Sequence, residues 1–238
     1  MQRAKVVTEP KQMASALKKK GAKRVLIVDD HPVFREGLSV LLSREPDLEV
    51  VGQADRARPT LTAIERCTPD LVLLDLSLPD KSGLELVKDL RAGHPQLSIL
   101  IISMHDETLY AERLLRAGAN GYVMKEEGPA GILHAIRQVL KQQVYVSPKM
   151  SARIVNSFSG RTETRNSPIS QLTDREFEVF RLIGEGNDSR AIARQLSVSY
   201  KTVDTHRGHI KEKLGLNSGT ELICYAVRWV EAQPRAGT

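Results

Sequence analysis

The first two thirds of the chain alternate short apolar runs with longer stretches in which apolar residues recur every three or four positions. Runs rich in Val, Ile and Leu are typical of buried parallel strands, and the longer stretches are typical of amphipathic helices. The pattern predicts strands at Arg24–Asp29, Leu48–Gln53, Leu71–Asp75, Leu97–Ser103 and Gly121–Met124. It predicts helices near Pro32–Ser43, Arg58–Cys67, Gly83–Ala92, Glu107–Ala117 and Ala130–Leu140. This strict alternation indicates an α/β domain with a doubly wound, five-stranded parallel sheet and right-handed crossovers.

After Val146 the alternation stops, and from Leu172 onward only helical patterns remain. Capping boxes, Thr173 with Glu176 and Ser218 with Glu221, predict the starts of two helices. Two further helices are predicted at Ser189–Leu196 and Tyr200–Leu214. Four short helices with a tight turn between the middle two indicate a small all-α helix-turn-helix domain.

The predicted organisation therefore has four parts. They are a basic tail (1–22), the α/β domain (23–146), a linker (147–170) with a short helix at Met150–Phe158, and the four-helix domain (171–238). Gly93 and Gly118 stand just after predicted helices, where a left-handed glycine commonly ends the helix.

Composition restricts the class of protein. The chain is 41% hydrophobic and 27% charged, which is normal for a soluble protein. Its apolar runs are too short to cross a membrane, and the N-terminus lacks the apolar stretch of a signal peptide. Cys67 and Cys224 fit no metal or redox spacing, so we expect free thiols in a reducing cytoplasm.

The net charge of +6 is unevenly distributed. Residues 1–24 contain eight basic side chains and one acidic one, whereas residues 25–146 contain 13 basic and 18 acidic side chains. The high pI is therefore set largely by the tail and the linker and is not itself evidence for DNA binding. We expect the tail to be solvated and mobile, with weak non-specific attraction to nucleic acid as the alternative.

Five residues suited to phosphoryl chemistry end four of the apolar runs, namely Asp29, Asp30, Asp75, Ser103 and Lys125. In an open parallel sheet the carboxyl ends of the strands form the site, so these side chains should converge. The three carboxylates would supply ligands to Mg²⁺, which keeps water and phosphate oxygens as its other ligands. Asp75 would act as the nucleophile that forms an acyl-phosphate, Lys125 would pair with phosphate oxygens, and Ser103 would offer a hydroxyl donor.

The same residues resemble the receiver domain of bacterial two-component response regulators, whose fold is flavodoxin-like. The matching pieces are Val28-Asp29-Asp30-His31, Leu74-Asp75-Leu76-Ser77-Leu78-Pro79 with Gly83, Ser103 and Lys125. The resemblance implies that Asp75 is the phospho-acceptor and that Mg²⁺ is bound by Asp30, Asp75 and the backbone carbonyl of Ser77. It further implies that Asp29 acts mainly through a water and that Tyr122 is the switching aromatic.

Three residues near this site each have two interpretations. Tyr122 could serve core packing or switching. His31 is available to a metal, but beside Pro32 we favour a simple helix-start residue. His105 could tune dephosphorylation, but we favour a solvated loop residue.

The helix predicted at Tyr200–Leu214 has two chemically different faces. At 100° per residue Val203, Ile210 and Leu214 share an inward face, whereas Lys201, Thr205, Gly208 and His209 lie on or near the opposite face. A gap at Gly208 suits close approach to a major groove, with Lys201, Lys211 and Lys213 available to phosphates.

Residues 171–230 resemble the LuxR/NarL-type helix-turn-helix. The matching pieces are Leu172-Thr173-Asp174-Arg175-Glu176, Gly186-Asn187, Ala191-Ile192-Ala193, Lys201-Thr202-Val203, His206 and Lys213-Leu214-Gly215-Leu216. The resemblance implies that Tyr200–Leu214 is the recognition helix, with Asp204, Thr205 and Gly208 facing bases. The residues of this helix that we predict to contact DNA are Lys201, Thr202, Asp204, Thr205, Arg207, Gly208, His209, Lys211 and Lys213. The resemblance also implies that Ser218–Glu231 is a dimerisation helix, whose apolar stripe contains Ile223, Ala226, Val227, Trp229 and Val230.

Several of these helix residues keep an alternative. Asp204 could instead pair with Lys201 or Arg207, and Arg207 could reach a phosphate or an acid. For His206 we favour semi-buried packing over a phosphate contact. We expect Trp229 to pack within the interface of the last helix.

The combined prediction is a phosphorylation-dependent transcriptional regulator. A sensor histidine kinase would phosphorylate Asp75, and a homodimer would bind promoter DNA at an inverted repeat. One alternative is a magnesium-dependent aspartyl-phosphate enzyme, but the lid or cap insertion expected for such an enzyme is missing. The other is a regulator that works without phosphate, which the complete acidic site and Lys125 argue against.

Overall fold

The computed structural model describes residues 21–158, 168–196 and 198–232, so nearly all of the predicted basic tail lies outside the described residues. The N-terminal domain contains five strands: β1 Lys23–Val28, β2 Leu48–Ala54, β3 Leu71–Asp75, β4 Ser98–Ser103 and β5 Gly121–Met124. All pair in parallel in the order β2-β1-β3-β4-β5. The predicted fold class is confirmed.

Five helices connect and cover these strands: α1 Pro32–Ser43, α2 Ala57–Cys67, α3 Gly83–Gly93, α4 Glu107–Ala117 and α5 Gly128–Leu140. Apolar residues of α1 and α5 pack on one face of the sheet, and those of α2, α3 and α4 pack on the other. Each central strand is therefore buried on both sides, which explains why its sequence reads as a continuous apolar run.

The chain continues into α6 Pro148–Phe158, which places Met150 against the α4 side of the core. After a short 3₁₀ turn at Pro168–Gln171, four helices form the second domain: α7 Asp174–Gly184, α8 Ser189–Gln195, α9 Tyr200–Leu214 and α10 Gly219–Glu231. None of the helices in the described ranges has the length and apolar character needed to span a membrane.

Two of the sequence predictions about helix ends are wrong. Gly118 adopts the predicted left-handed cap at φ 109°, but Gly93 is the last residue of α3 and has no positive φ. The unpredicted left-handed cap is Thr68, at the end of α2. At α10, Ser218 caps the helix as expected, but the Glu221 carboxylate accepts a hydrogen bond from the backbone of Asn217, so the predicted reciprocal box does not form.

Helices α7 and α10 approach each other unusually closely at Gly184. A Cβ atom added there would lie 2.5 Å from the Ala226 carbonyl oxygen, so only glycine fits. This contact fixes α10 against α7, the helix that also contacts α9, the predicted recognition helix.

Candidate functional site

The parallel sheet gathers the strand-end side chains at one edge. Asp75 ends the central strand β3, Asp29 follows the neighbouring β1, and Ser103 ends β4 on the other side. Lys125 follows β5, whose Met124 pairs with Ser103. Four strands thus bring these four side chains to one pocket, as strand topology predicts.

Lys125 joins the two deepest carboxylates. Its Nζ lies 3.0 Å from Oδ2 of Asp75 and 2.7 Å from Oδ2 of Asp29, and all three side chains are at most 5% exposed. The ammonium also lies 4.5 Å from the centre of the Phe34 ring, which shields it from water. The pocket is therefore a buried ion-pair network with one cation between two anions.

Burial raises the pKa of the Asp75 carboxyl. Removal from water raises this pKa above the ordinary value, and the charge of Asp29 raises it further, although Lys125 lowers it. The Asp75 Oδ1 atom accepts only a weak hydrogen bond, from the backbone N–H of Ser77 at 3.4 Å.

The acidic edge of the pocket also contains Asp30 and His31. The His31 backbone N–H donates to Oδ1 of Asp29 over 2.8 Å, and its ring turns into the pocket rather than capping α1. Ligand atoms of Asp29, Asp30, His31 and Asp75 all lie within 4.8 Å of one another. Our favoured interpretation of His31 as a simple helix-start residue is therefore incomplete.

The oxygens of this pocket fit a hard divalent cation. Oδ1 of Asp30 and Oδ2 of Asp29 are shielded from solvent, and their nitrogen neighbours among the described residues are His31 Nδ1 at 2.8 Å and Lys125 Nζ at 2.7 Å. Carboxylate oxygens gathered at one pocket are the ligands that Mg²⁺ prefers.

The loop after β4 connects the pocket to the rest of the domain. The Ser103 hydroxyl oxygen accepts the backbone N–H of His105 over 3.1 Å, and the buried Tyr122 hydroxyl donates to the His105 carbonyl over 2.7 Å. The His105 ring lies 2.9 Å from the Ser77 hydroxyl, and burial lowers its pKa to about 4. His105 is thus a neutral, packed residue at neutral pH and not the solvated loop residue that we favoured.

The recognition helix α9 presents the expected two faces. Val203 and Ile210 are fully buried, whereas Lys201, Asp204, Thr205 and His209 are exposed. A Cβ atom at Gly208 would meet nothing within 4 Å, so this position leaves an open gap on the helix surface. Within the described residues the Asp204 side chain makes no hydrogen bond or ion pair, so its predicted pairing with Lys201 or Arg207 is not observed here.

Other predicted DNA-contacting residues already have protein partners. Lys213 donates to Glu176 of α7 over 2.6 Å, and His209 lies 3.7 Å from the same carboxylate. The Arg207 guanidinium reaches the Ser189 hydroxyl over 3.4 Å. The remaining predicted contacts, Thr202 and Lys211, are half-buried, and Thr202 lies in the cap formed by Ser199.

His206 lies beside the core face, with a shielded Nδ1 that has no hydrogen-bond partner among the described residues. Burial, followed by the charge of Arg175, lowers the pKa of the ring. This placement fits the semi-buried packing role better than a phosphate contact.

The residues of the predicted dimerisation stripe on α10 differ in their exposure to solvent. Ile223 is exposed, and Val227 and Val230 are half-buried. Ala226, in contrast, is fully buried against α7, so it is the part of the stripe that serves the domain's own core, and the dimer contact of the stripe stays a prediction. Trp229 packs edge-on against Phe177 and Phe180 of α7, at 5.6 and 5.4 Å between ring centres.

An interface between the two domains was not predicted from the sequence. On its apolar side, Tyr110 of α4 stacks edge-on against Phe177 of α7 at 5.4 Å, and the Arg113 guanidinium lies 4.6 Å from the Phe177 ring centre. On its polar side, the Ser82 hydroxyl donates to the buried Glu178 carboxylate, and Lys88 pairs with Asp174.

Arg113 strengthens this contact, which we call the α7 interface. Its guanidinium donates to the carbonyls of Ile169 and Leu172 and to Asp174, over 3.1, 2.9 and 3.2 Å. No local sequence pattern predicts these contacts, because each one joins residues that lie more than 50 positions apart in the chain.

The family comparisons agree with this geometry. Residues 25–137 match the response regulator receiver domain, and residues 170–226 match the bacterial regulatory proteins of the luxR family. The oxygen regulatory protein NreC of Staphylococcus carnosus (strain TM300) is 36% identical over 210 residues, which cover 86% of this chain and 97% of the relative.

Solved structures show the same architecture. The RcsB response regulator of Salmonella typhimurium has a TM-score of 0.66 at 25% identity, covering 87% of this chain and 98% of that chain. RcsB from Salmonella enterica serovar Typhimurium, bound to promoter rprA in the presence of the phosphomimetic BeF3⁻, has a TM-score of 0.64 at 26% identity, with the same coverage.

The fold and the site define a receiver domain joined to a helix-turn-helix domain. This chain belongs to the two-component response regulators of the NarL/LuxR type, which are DNA-binding transcription regulators.

Proposed function

We propose that Asp75 is the residue that a sensor histidine kinase phosphorylates, and that phosphorylation controls how this regulator binds promoter DNA. The observation that supports this most directly is the Lys125–Asp75–Asp29 network, a buried nucleophile beside a fixed cation. An Asp75 oxygen would attack the phosphorus of a phosphohistidine, so that an O–P bond forms and the N–P bond breaks. The imidazole nitrogen keeps the electron pair of the broken bond.

Each neighbouring group has a role in that transfer. Lys125 would balance the charge of the arriving phosphoryl oxygens, and the Ser103 hydroxyl, whose proton is free to turn, would donate to one of them. Asp30, Asp75 and the Ser77 carbonyl would hold Mg²⁺, with Asp29 acting through a water; the ion would offset the negative charge that the pocket gathers.

The signal would leave the pocket through His105. Its backbone contacts Ser103 and Tyr122, and its ring lies 5.3 Å from the ring of Tyr110 on α4. Tyr110 in turn contacts Phe177, which packs on Trp229 of α10. A shift of the β4–α4 loop would therefore change the α7 interface and release the second domain to pair with that of another copy.

On DNA we propose that two copies bind an inverted repeat, with α9 in the major groove. Lys201, Asp204, Thr205 and Gly208 are already accessible on one face of α9. The outer side of α10, where Ile223 is exposed, would supply the contact between the two copies. The RcsB complex with promoter DNA supports the nucleic-acid part of this proposal by analogy.

Phosphotransfer and DNA binding can be tested in one experiment. Acetyl phosphate with Mg²⁺ should add one phosphoryl group by intact mass and raise affinity for a DNA site selected from a random pool. Asp75→Asn should abolish both changes, while Asp89→Asn, an exposed carboxylate on α3, should behave as the parent. Labelling of the Asn variant would remove Asp75 as the acceptor. Labelling of the parent without any change in DNA affinity would favour a regulator that works without phosphate.

The proposed route has its own test at Lys88, which is half exposed and pairs with Asp174 across the α7 interface. Lys88→Glu would place two anions together, so the unphosphorylated variant should bind DNA more like the phosphorylated parent. Lys81→Glu is a matched control, since Lys81 pairs within the receiver domain with Asp89. An unchanged phosphorylation response in Lys88→Glu would argue against this interface as the route.

A further inference from the structure

The receiver domain contacts only one face of α7. Asp174 pairs with Lys88 of α3, and Phe177 packs edge-on against Tyr110 of α4. The Glu178 carboxylate is buried on the same side. At 100° per residue, Phe177 and Glu178 both lie within about 60° of Asp174 around the helix axis. We use the term closed chain for this arrangement, in which the receiver is docked on α7.

The recognition helix α9 packs on the opposite face of α7. Glu176 accepts a hydrogen bond from Lys213 of α9 over 2.6 Å, and His209 lies 3.7 Å from the other oxygen of the same carboxylate. Around the axis of α7, Glu176 is about 160° from Asp174, and the buried Ile183 is about 180° from it. Helix α7 therefore separates the receiver from α9.

The predicted DNA-facing side of α9 is directed away from α7 and from the receiver. Val203 and Ile210 on the core face are fully buried, whereas Lys201 and Thr205 are exposed with the receiver in place. The gap at Gly208 is also open, because an added Cβ atom would meet nothing within 4 Å. The main helical packing partners of α9 are α7, α8 and α10 of its own domain. The closed chain thus leaves this surface uncovered.

The charge of the receiver is too distant to prevent an approach to DNA. Residues 25–146 contain 18 acidic and 13 basic side chains, so the domain repels phosphates. Packed helices lie about 8–10 Å apart between axes, so α7 and α9 together place the receiver roughly 20 Å from a groove that α9 enters. This separation exceeds two Debye lengths at 0.15 M ionic strength, where the Debye length is about 8 Å. The repulsion is therefore largely screened at physiological salt.

We propose that the unphosphorylated, closed chain binds one half-site of duplex DNA as a monomer, with the receiver still docked on α7. This inference rests on the proposed DNA binding by α9. It assigns to phosphorylation the control of pairing between two copies rather than of access to the recognition helix. One half-site offers fewer phosphates than an inverted repeat, so binding by the closed chain should be weaker and less dependent on salt.

Crosslinking the receiver to α7 in the full chain tests the proposal. Lys88→Cys combined with Asp174→Cys, joined by a short bis-maleimide, should hold the chain closed. A Cys224→Ser background removes the exposed thiol. The matched control joins Lys81→Cys to Asp89→Cys in the same background, because that ion pair lies within the receiver.

Two DNA duplexes distinguish access from pairing, one with a single half-site of the selected sequence and one with two. Affinity for the single half-site should agree within twofold among the closed crosslinked chain, the control and the uncrosslinked chain. On two half-sites, acetyl phosphate should strengthen binding of the control at least tenfold and of the closed crosslinked chain less than twofold. Lys201→Ala should weaken half-site binding equally with and without the crosslink, because both forms use the same face of α9.

A tenfold loss of half-site affinity in the closed crosslinked chain, absent from the control, would show that the receiver obstructs α9 and would overturn the proposal. Cooperative binding of the closed crosslinked chain to two half-sites would overturn it as well, as would a Lys201→Ala effect confined to the uncrosslinked chain. Failure of the proposed function is distinguishable from these results, because then even the phosphorylated, uncrosslinked parent would not bind the selected duplex.

Discussion

Charged side chains are buried and paired with one another in the receiver pocket, whereas on the open face of the recognition helix they are exposed and unpaired within the described residues. In the pocket, Asp29, Asp75 and Lys125 are nearly inaccessible to water and pair with one another within 3.0 Å. On α9, Lys201 and Asp204 are exposed, and their side chains have no ion pair with any residue that the structure describes. The pocket is thus organised before its ligand arrives, whereas Lys201 and Asp204 of α9 obtain charged partners only from a molecule that binds there.

This difference predicts different consequences of mutation. A substitution in the pocket changes the balance of buried charges, so it should affect folding as well as phosphorylation. A substitution on the open face of α9 removes a group that is already hydrated, so it should affect binding with little change in stability. Five predictions test this contrast, beginning with the largest effect.

Lys125→Ala should destabilise the receiver domain by about 3 kcal/mol, because it leaves two buried carboxylates without their cation. Chemical denaturation at neutral pH would measure the loss, and Lys141→Ala, at the exposed end of α5, should change stability little. Asp75→Asn should stabilise the Lys125→Ala chain by more than it stabilises the parent, since it then removes one of two anions that have lost their cation. Additive effects of the two changes would contradict a shared network.

The stability lost in Lys125→Ala should depend on pH. Burial raises the pKa of Asp75, so the folded chain holds that proton more tightly than the unfolded chain does. Stability therefore decreases as pH rises above the ordinary carboxyl pKa of about 4, and the absence of Lys125 enlarges this effect. The cost of Lys125→Ala should accordingly shrink towards acidic pH.

On the recognition helix, Asp204→Ala should reduce discrimination at one base position by roughly 1–3 kcal/mol, with little change in salt dependence. A carboxylate facing DNA phosphates costs affinity unless it accepts a hydrogen bond, and cytosine N4 is the natural donor. The absence of an Asp204 partner within the described residues supports base contact over internal pairing. Binding to a panel of DNA sites that differ by single bases would measure this discrimination. A uniform change in affinity across the panel would favour internal pairing of Asp204.

Asp75→Asn should have a smaller and opposite effect on folding, a stabilisation of order 1 kcal/mol without metal. The amide removes a desolvated charge and its repulsion from Asp29, while Lys125 keeps Asp29 as its partner. Denaturation in the presence of a chelator would measure it. A clear loss of stability would mean that the Lys125 pair outweighs the burial of the carboxylate.

The pocket could be predicted from sequence because topology alone places it. Parallel strands with right-handed crossovers bring their carboxyl ends to one edge, so residues such as Asp75 and Ser103 need no side-chain detail to be brought together. The inward and outward faces of α9 follow just as directly from helical periodicity.

Contacts that depend on side-chain rotamers or on distant elements could not be predicted. The His31 ring could cap a helix or enter the pocket, and only the packed structure distinguishes the two. Lys213 and Lys201 look alike in sequence, but Glu176 of α7 reaches only Lys213. The Tyr110–Phe177 contact joins residues far apart in the chain, across a linker that carries no pattern to specify it.

Lys201 and Lys213, two of the three lysines of α9, give the most sensitive test of this contrast. Lys201 is exposed without an ion pair in the described structure, so a phosphate contact would release one counterion, and Lys201→Ala should shallow the salt dependence of DNA binding by about one unit. Lys213 is two-thirds buried and already 2.6 Å from Glu176, so its charge is largely neutralised before DNA arrives. Lys213→Ala should therefore change the slope by less, and should weaken the α7–α9 contact instead. Affinity for one fixed DNA site at several salt concentrations, with the unfolding free energy of each variant as the control, separates the two roles. Equal slopes for the two variants would mean that the Glu176 pair opens on DNA, and Lys213 would then belong with Lys201 among the phosphate contacts.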